Sequence, residues 1–361
     1  MPSLFDPVQV GSITAKNRIF LAPMTRARAT KEGVPTSLML KYYEQRSTAG
    51  VIVTEGVGIS RVGLGWPYAP GIYTKEQIEG WKPITKGVHD KGGKIVLQLW
   101  HMGRAAHSAV TGSAPVSCSP TSYPTQIHTY EGKKDAEVAH ELTKEEIKET
   151  VQDFATAAKN AIEAGFDGVQ IHGANGYLID QFLRDGSNLR TDEYGGSPDN
   201  RLRFMKEVVE AVIEAVGADK TSIRLSPNGE SQGVIDSDPA KVFIPAAKWL
   251  GEKGIASLAI REGATTQGFT SPDAGQPRLN KEIREAFKGT LILNSAYDRE
   301  RAISDVENGV CDAVSFGRYY IYHPDLPEMI KQNKPFETNI DLMKVFYSQG
   351  AEGYTDFPTS T

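Results

Sequence analysis

His172, Asn175 and Tyr177 fall within six positions of one another, at the exit of the apolar run GFDGVQIHGA at 165–174. An imidazole, a carboxamide and a phenol are all hydrogen-bonding groups, and so close a grouping raises the question of shared chemistry. The run before them reads as a short buried strand, and a strand end is where many α/β folds keep their chemistry. Singly, each has a plainer reading. A histidine after a strand is more often a satisfied structural group, and Tyr177 equally fits a core tyrosine with a paired hydroxyl.

The elements that would position these side chains repeat along the chain. Runs rich in Val, Ile and Leu occur at 18–24, 50–56, 94–100, 168–174, 222–227, 257–262, 291–295 and 313–318, eight in all. Helical patterns separate them. In the segment from Thr143, the residues Ile147, Val151, Phe154, Ala158, Ala161 and Ile162 share one face. Thr143 and Glu146 have capping-box spacing and Gly165 ends the pattern. A second helix starts at Ser197-Pro198 and ends at Gly217.

Strand–helix alternation with continuously apolar strands implies a parallel sheet covered by helices. Eight such units predict an α/β fold of the closed (β/α)8 TIM-barrel type, with 1–361 as a single domain. The alternative is an open doubly wound sheet with a second domain; no GxGxxG follows the first run, which weakens it. The start, LFDPVQVGSITAKN, reads as an N-terminal hairpin closing the barrel bottom. The stretch 101–142, rich in Ser, Thr, Pro and Gly, reads as a long excursion after strand three with little regular structure.

In a barrel the carboxyl ends of the strands meet at one mouth. Here they bring Pro23, Met24 and Thr25; Glu55 and Gly56; Gln98 and Trp100; His172, Asn175 and Tyr177; Arg224; Asn294 and Ser295; and Gly317 and Arg318. This set lacks the paired acids of a glycosidase, the ligands of a metallohydrolase and a Ser–His–Asp triad with its nucleophile elbow. Arg224, in a strand buried on both faces, requires an anionic or acceptor partner. Gly317-Arg318 follows strand eight, where barrels often hold phosphate. A barrel lyase using a Schiff-base lysine remains an alternative, although only Lys94, at the start of its run, falls in a strand. Asp192, Glu193 and Arg201 fit a loop braced by salt bridges.

The bulk numbers exclude other classes. The chain has 361 residues, 39% hydrophobic and 24% charged, with net charge −5 and no basic block, which argues against a nucleic-acid partner. Two cysteines without paired spacing give no disulfide framework, zinc ribbon or iron–sulfur cluster. No leader pattern and no run of 18 apolar residues is present, so the expectation is no membrane partner and a cytoplasmic location.

Several segments together carry a family resemblance: NRIFLAPMTRARA, TEGVGIS, QLWHMGRAAH, HGANGYLIDQFLRDGSNLRTDEYGGSPDNR, RLSPNG, SFGRYYIYHPDLP and AEGYTDFP. Over essentially its whole length the chain resembles the old yellow enzyme family of FMN-dependent ene-reductases, in the branch with Thr rather than Cys at position 25. The resemblance implies tightly bound, non-covalent FMN and NADPH or NADH as hydride donor. It implies that Pro23, Met24, Thr25, Gly56, Gln98, Arg224, Ser295, Ala296, Gly317 and Arg318 hold FMN. Gly56 stands where relatives often have Ala, which predicts a slightly roomier site.

The resemblance further implies that His172 and Asn175 grip the oxygen of an activated alkene (an enone, enal, maleimide or nitroalkene). Hydride would pass from the flavin to Cβ and a proton from Tyr177 to Cα, and Trp66, Trp100 and Tyr347 would line the substrate side. A nitroester or nitroaromatic reductase on the same scaffold is the alternative activity. The partners implied are small molecules, with the protein a monomer or homodimer.

Overall fold

The computed structural model describes residues 1–262, 277–336 and 345–359. In chain order the strands are β1 (Val8–Val10), β2 (Ile13–Ala15), β3 (Ile19–Leu21), β4 (Ile52–Gly58), β5 (Ile95–Trp100), β6 (Val116–Ser117), β7 (Ile127–Thr129), β8 (Gly132–Lys134) and β9 (His140–Glu141). They continue as β10 (Gly168–Gly173), β11 (Thr221–Leu225), β12 (Ser257–Arg261), β13 (Thr290–Asn294) and β14 (Ala313–Phe316). Strands β3, β4, β5 and β10 to β14 form a closed barrel, with β14 returning to pair with β3. All eight correspond to the apolar runs, and closure removes the open-sheet alternative. The first strand is shorter than its run because Pro23 has no N–H for the ladder.

The helices are α1 (Ser37–Gln45), α2 (Lys75–Asp90), α3 (Ser108–Thr111), α4 (Lys144–Glu163), α5 (Leu178–Leu183) and α6 (Pro198–Val216). The remainder are α7 (Ala240–Glu252), α8 (Asn280–Ala286), α9 (Arg299–Glu307), α10 (Arg318–Tyr322) and α11 (Leu326–Lys331). Helix α4 starts where its capping box predicts: the Glu146 amide donates to Thr143 Oγ1 at 3.2 Å and the Thr143 amide to Glu146 Oε2 at 2.7 Å. Ile147, Phe154, Ala158 and Ala161 of its apolar face are buried, whereas Val151 and Ile162 are half-buried at the edge. Helix α6 begins at Pro198 with Ser197 as its cap and stops at Gly217.

Strands β1 and β2 form the expected hairpin. Val10, Ile13 and Ala15 pack with Phe20, Val51, Val96, Ala259 and Ile292, so the hairpin plugs the amino-terminal end of the barrel with apolar side chains. The excursion at 101–142 holds more regular structure than expected: α3, the β7–β8 pair, and β6 paired with β9. Among the described residues no helix is long and apolar enough to cross a membrane.

The C-terminal segment is strapped over the carboxyl end by two arginines. Arg26 Nη2 donates to the Gly353 carbonyl at 2.7 Å and the Val345 carbonyl at 3.1 Å, and Arg28 Nη1 to the Phe346 carbonyl at 2.8 Å. Tyr354 stacks on Tyr42 with ring centroids 4.3 Å apart. Charge-assisted hydrogen bonds to carbonyls hold more strongly than neutral ones, so this segment has one seat.

The hairpin plug yields a stability prediction. Gly11 has φ 57°, and a Cβ there would lie 1.9 Å from the Asp219 carbonyl oxygen. Gly11→Ala is expected to destabilise the fold by about 2–4 kcal/mol. Urea unfolding should show a lower midpoint at unchanged slope; a midpoint like that of the parent would mean the hairpin yields freely.

Candidate functional site

The barrel mouth opens into a cavity of about 320 Å³. Its wall includes Pro23, Met24 and Thr25 beyond β3, Gly56 on β4, Gln98 and Trp100 on β5, His172 on β10, Asn175 and Tyr177 beyond it, and Arg224 on β11. Ser295 and Ala296 after β13, Gly317 and Arg318 after β14, and Phe346 and Tyr347 of the strapped segment complete that side. Of the residues that the resemblance assigns to the site, Trp66 alone is not on the wall. It packs behind Tyr347, with centroids 4.9 Å apart, and against His128 of the excursion at 5.0 Å.

A bulge in β4 sorts two neighbouring residues. The register between β4 and β5 slips between Val53 and Gly56, and the Gln98 amide donates to Thr54 Oγ1 at 3.0 Å. The slip places Gly56 on the cavity wall. Glu55 instead leaves the mouth. Its Oε1 accepts from Tyr43 Oη at 3.2 Å and its Oε2 from the Arg26 amide at 3.2 Å, directly after Thr25. The expectation of extra room at Gly56 is corrected by Trp100: a Cβ at position 56 would lie 2.6 Å from its indole, so the glycine is what lets the ring approach.

A polar belt links the strand ends. His172 of β10 pairs in register with Arg224 of β11. Arg224 Nη2 donates to Asn294 Oδ1 at 2.8 Å, and Asn294 Nδ2 donates to the Ser315 carbonyl at 2.7 Å. Gln98 Nε2 donates to Gln170 Oε1 at 2.9 Å. Trp100 and His172 each hold the Tyr177 ring edge-on, with centroids 5.0 Å away in both cases. Asn175 sits in left-handed backbone, φ 62°, and its amide donates to Ser226 Oγ at 2.9 Å. Asparagine tolerates that conformation better than most residues, and it turns the chain from β10 into α5.

The electrostatics follow from burial. His172 is held well below the usual histidine pKa by desolvation and by the charges of Arg224 and Arg261, so its imidazole is neutral. Desolvation and then Arg261 push Arg224 down to about 9. Burial raises the Tyr177 phenol above its ordinary range.

The cavity asks for a ligand. His172 Nδ1, Arg224 Nε, Asn175 Oδ1 and Trp100 Nε1 are buried polar atoms with no hydrogen-bond partner. Such orphans are costly unless a bound group satisfies them. At the other end Ser295 and Ala296 take φ 93° and φ 53°, a left-handed turn of the kind that gathers amides around an anion, next to Gly317 and Arg318. A flat ring with both donors and acceptors on its edge and a phosphate tail fits this set, and FMN is such a group. No lysine is on the described wall, so the Schiff-base alternative lacks its nucleophile. Among the described residues no cluster of three or more His, Cys, Asp or Glu could hold a metal.

Arg261, at the end of β12, also lines the cavity and escaped the sequence reading, as did Tyr297, Phe316, Tyr319 and Phe346. The strand register sets it there: Arg261 stands two residues past the position paired with Arg224. Asp192, Glu193 and Arg201 do brace loops, but with separate partners: Arg190, Lys144 and Asp236 respectively.

Comparison with known proteins agrees with this architecture. The family model described as NADH:flavin oxidoreductase / NADH oxidase matches residues 3–337. The chain is 41% identical to 12-oxophytodienoate reductase 7 of Oryza sativa subsp. japonica, covering 98% of this chain and 94% of the relative. It is 38% identical to a probable flavin mononucleotide-dependent alkene reductase of Leishmania infantum, covering 98% and 97%. Among solved structures, an old yellow enzyme homologue from Zymomonas mobilis is 52% identical with TM-score 0.96, covering 99% of both chains. Morphinone reductase in complex with tetrahydroNAD is 39% identical with TM-score 0.92, covering 100% of this chain and 98% of that one.

Glu55 yields a pH prediction. Burial raises its pKa from 4.5 to about 7, against the opposing hydrogen bonds of Arg26 and Tyr43. A carboxyl raised on folding stabilises fully below its unfolded pKa, and that contribution is lost as pH climbs through the folded one. The stability of the parent relative to Glu55→Gln should therefore fall by on the order of 3 kcal/mol between pH 4.5 and 7. Chemical denaturation across that window checks it, and a difference that does not vary with pH would contradict the assignment.

Proposed function

The chain belongs to the old yellow enzyme family, as the flavin-oxidoreductase family match and its relatives show, and from that premise we propose that it reduces the C=C bond of activated alkenes at the expense of NAD(P)H. Membership makes it an NAD(P)H-dependent flavin ene-reductase. The substrates proposed are enones, enals, maleimides and nitroalkenes. The observation that carries the reading is one cavity lined by the neutral His172, Asn175 and the phenol of Tyr177 together with Arg224 and the Ser295–Ala296 turn beside Arg318.

Each residue has a physical task in this proposal. Ser295, Ala296, Gly317 and Arg318 hold the phosphate of FMN, while Thr25, Gln98 and Arg224 take the polar edge of its ring. Pro23, Met24 and Gly56 pack against that ring, and Trp66, through Tyr347, and Trp100 shape the substrate side. Bound FMN supplies hydride acceptance from the nicotinamide and hydride donation to the alkene. Arg224 is a fixed cation beside the ring, in a low-dielectric wall where such a charge acts strongly.

His172 and Asn175 bind the oxygen of the activating carbonyl or nitro group. Because His172 is neutral, it donates one N–H without titrating through the working range. Asn175 cannot ionise, so activity should depend little on pH through this pair. Both donors favour the enolate-like charge that grows on that oxygen, which is what makes Cβ electrophilic. Tyr177 stays protonated because burial raises its pKa, so its proton is always present for Cα. Trp100 and His172 lock the ring that carries it. A cytoplasmic, single-domain protein, monomeric or homodimeric, completes the proposal.

Tyr177→Phe separates the half-reactions. Anaerobic stopped-flow should show enone-driven reoxidation slowed by about 10²-fold or more, the usual scale for losing a general acid. Reduction of the bound flavin by NADPH should change little. Reoxidation at the parental rate would remove Tyr177 as the proton donor.

A further inference from the structure

The charges on the cavity wall are lopsided. Arg224, Arg261 and Arg318 line it, and none of the described lining residues is a carboxylate. In the proposed function Arg318 faces the phosphate and Arg224 the flavin ring. Arg261 has neither task. In the barrel register Arg224 pairs with Ala259, and Arg261 stands two residues further toward the mouth, paired with Asn294. That step is about 6–7 Å along a strand, so Arg261 stands nearer the mouth than Arg224.

Its surroundings mark which part of the cavity it serves. Arg261 Nη1 donates to Ser231 Oγ at 3.1 Å, which holds the guanidinium to the loop after β11. Its charge is felt by His172, Arg224 and Tyr177, the residues that face the ligand. Desolvation lowers its own pKa, and Asp180 and Tyr177 favour its charged form. Asp180 is itself ion-paired with Arg184 at 2.7 Å, with both side chains fully buried. The space bounded by Arg261, Arg224, His172 and Tyr177 therefore carries a positive potential with neutral donors on its rim. A low-dielectric wall strengthens that potential for any anion entering it.

We propose that Arg261 is the anion-recognising residue of the ligand space, selecting ligands that carry a carboxylate or phosphate beyond the reacting group. The inference rests on the proposed ene-reductase function. Two sources present this chemistry: an unsaturated acid or half-ester as alkene, and the phosphates of the nicotinamide dinucleotide as hydride donor. Arginine recognises both through the same planar pair of N–H groups. The residue is a specificity determinant, acting on binding of the charged ligand rather than on transfer of hydride or proton.

The test uses the FMN-loaded full chain and its variants Arg261→Gln and Arg261→Lys. One arm compares kcat/KM for monomethyl fumarate, an anion, with that for dimethyl fumarate, a neutral diester. The other compares flavin reduction by NADPH with reduction by 1-benzyl-1,4-dihydronicotinamide, which has no phosphate. The readout is the anionic-to-neutral ratio within each arm, so a general loss of activity cancels. In Arg261→Gln the ratio should fall roughly tenfold or more in at least one arm, the scale of a charged hydrogen bond, and Arg261→Lys should restore part of it. A fall in the first arm identifies the alkene as the source, and a fall in the second identifies the dinucleotide. Unchanged ratios in both arms would overturn the proposal. So would loss of FMN from both variants, which would assign the arginine to the scaffold. A parent protein that never turns over either alkene would instead sink the ene-reductase reading, a separate result.

Discussion

The barrel closes where β14 meets β3, and every feature of the site depends on that junction. Val314, Ser315 and Phe316 pair with Ile19, Phe20 and Leu21, joining the last strand to the first. The closure brings Pro23–Thr25 beside Gly317 and Arg318, about 290 residues apart in sequence. An open sheet would leave those groups at opposite edges. Closure also forces inward side chains into layers, so Gln98 and Gln170 meet in one and His172 and Arg224 adjoin in register. The hairpin seals the amino end with apolar groups, leaving the carboxyl end as the place where polar groups gather.

Concentrating polarity there has an energetic cost that the protein meets in two ways. Away from the cavity, buried charges find partners: Arg26 and Arg28 on the carbonyls of the C-terminal segment, Arg46 on those of Tyr320 and Ile321, and Arg184 on Asp180. Within the cavity the orphans at His172, Arg224, Asn175 and Trp100 are left for ligands. Unpartnered buried atoms also occur outside the cavity, Arg26 Nη1 and Arg201 Nε among them, so what marks the site is that four of them share one cavity wall. Arg26 connects the two regions. Its amide follows Thr25 and binds Glu55, while its guanidinium seats the segment that carries Phe346 and Tyr347 to the cavity.

The eight strands were legible because parallel strands buried on both faces are continuously apolar, a pattern that survives without an alignment. The capping box at Thr143 and the Ser197-Pro198 start located two helices for equally local reasons. Three features of the site were not legible. Glu55 follows a strand and reads as a mouth residue, but the bulge in β4 turns it toward Tyr43, and no local pattern announces a bulge. Gly56 reads as added room, yet the space is taken by Trp100 from the neighbouring strand, a packing relation between distant residues. Arg261 sits next to Glu262, and nothing local separates the arginine's surroundings from the glutamate's. In three dimensions Glu262 turns to Arg301 and Arg278 while Arg261 lines the cavity.

Whether this cavity passes electrons from NAD(P)H through FMN to an activated alkene can be read from one anaerobic series of visible spectra. The purified protein is recorded as isolated, after one equivalent of NADPH, and again after 2-cyclohexenone. A flavin ene-reductase is expected to be yellow, to bleach with the nicotinamide and to regain its colour with the enone. A colourless protein that takes up no added FMN would rule out this function from the cofactor upward.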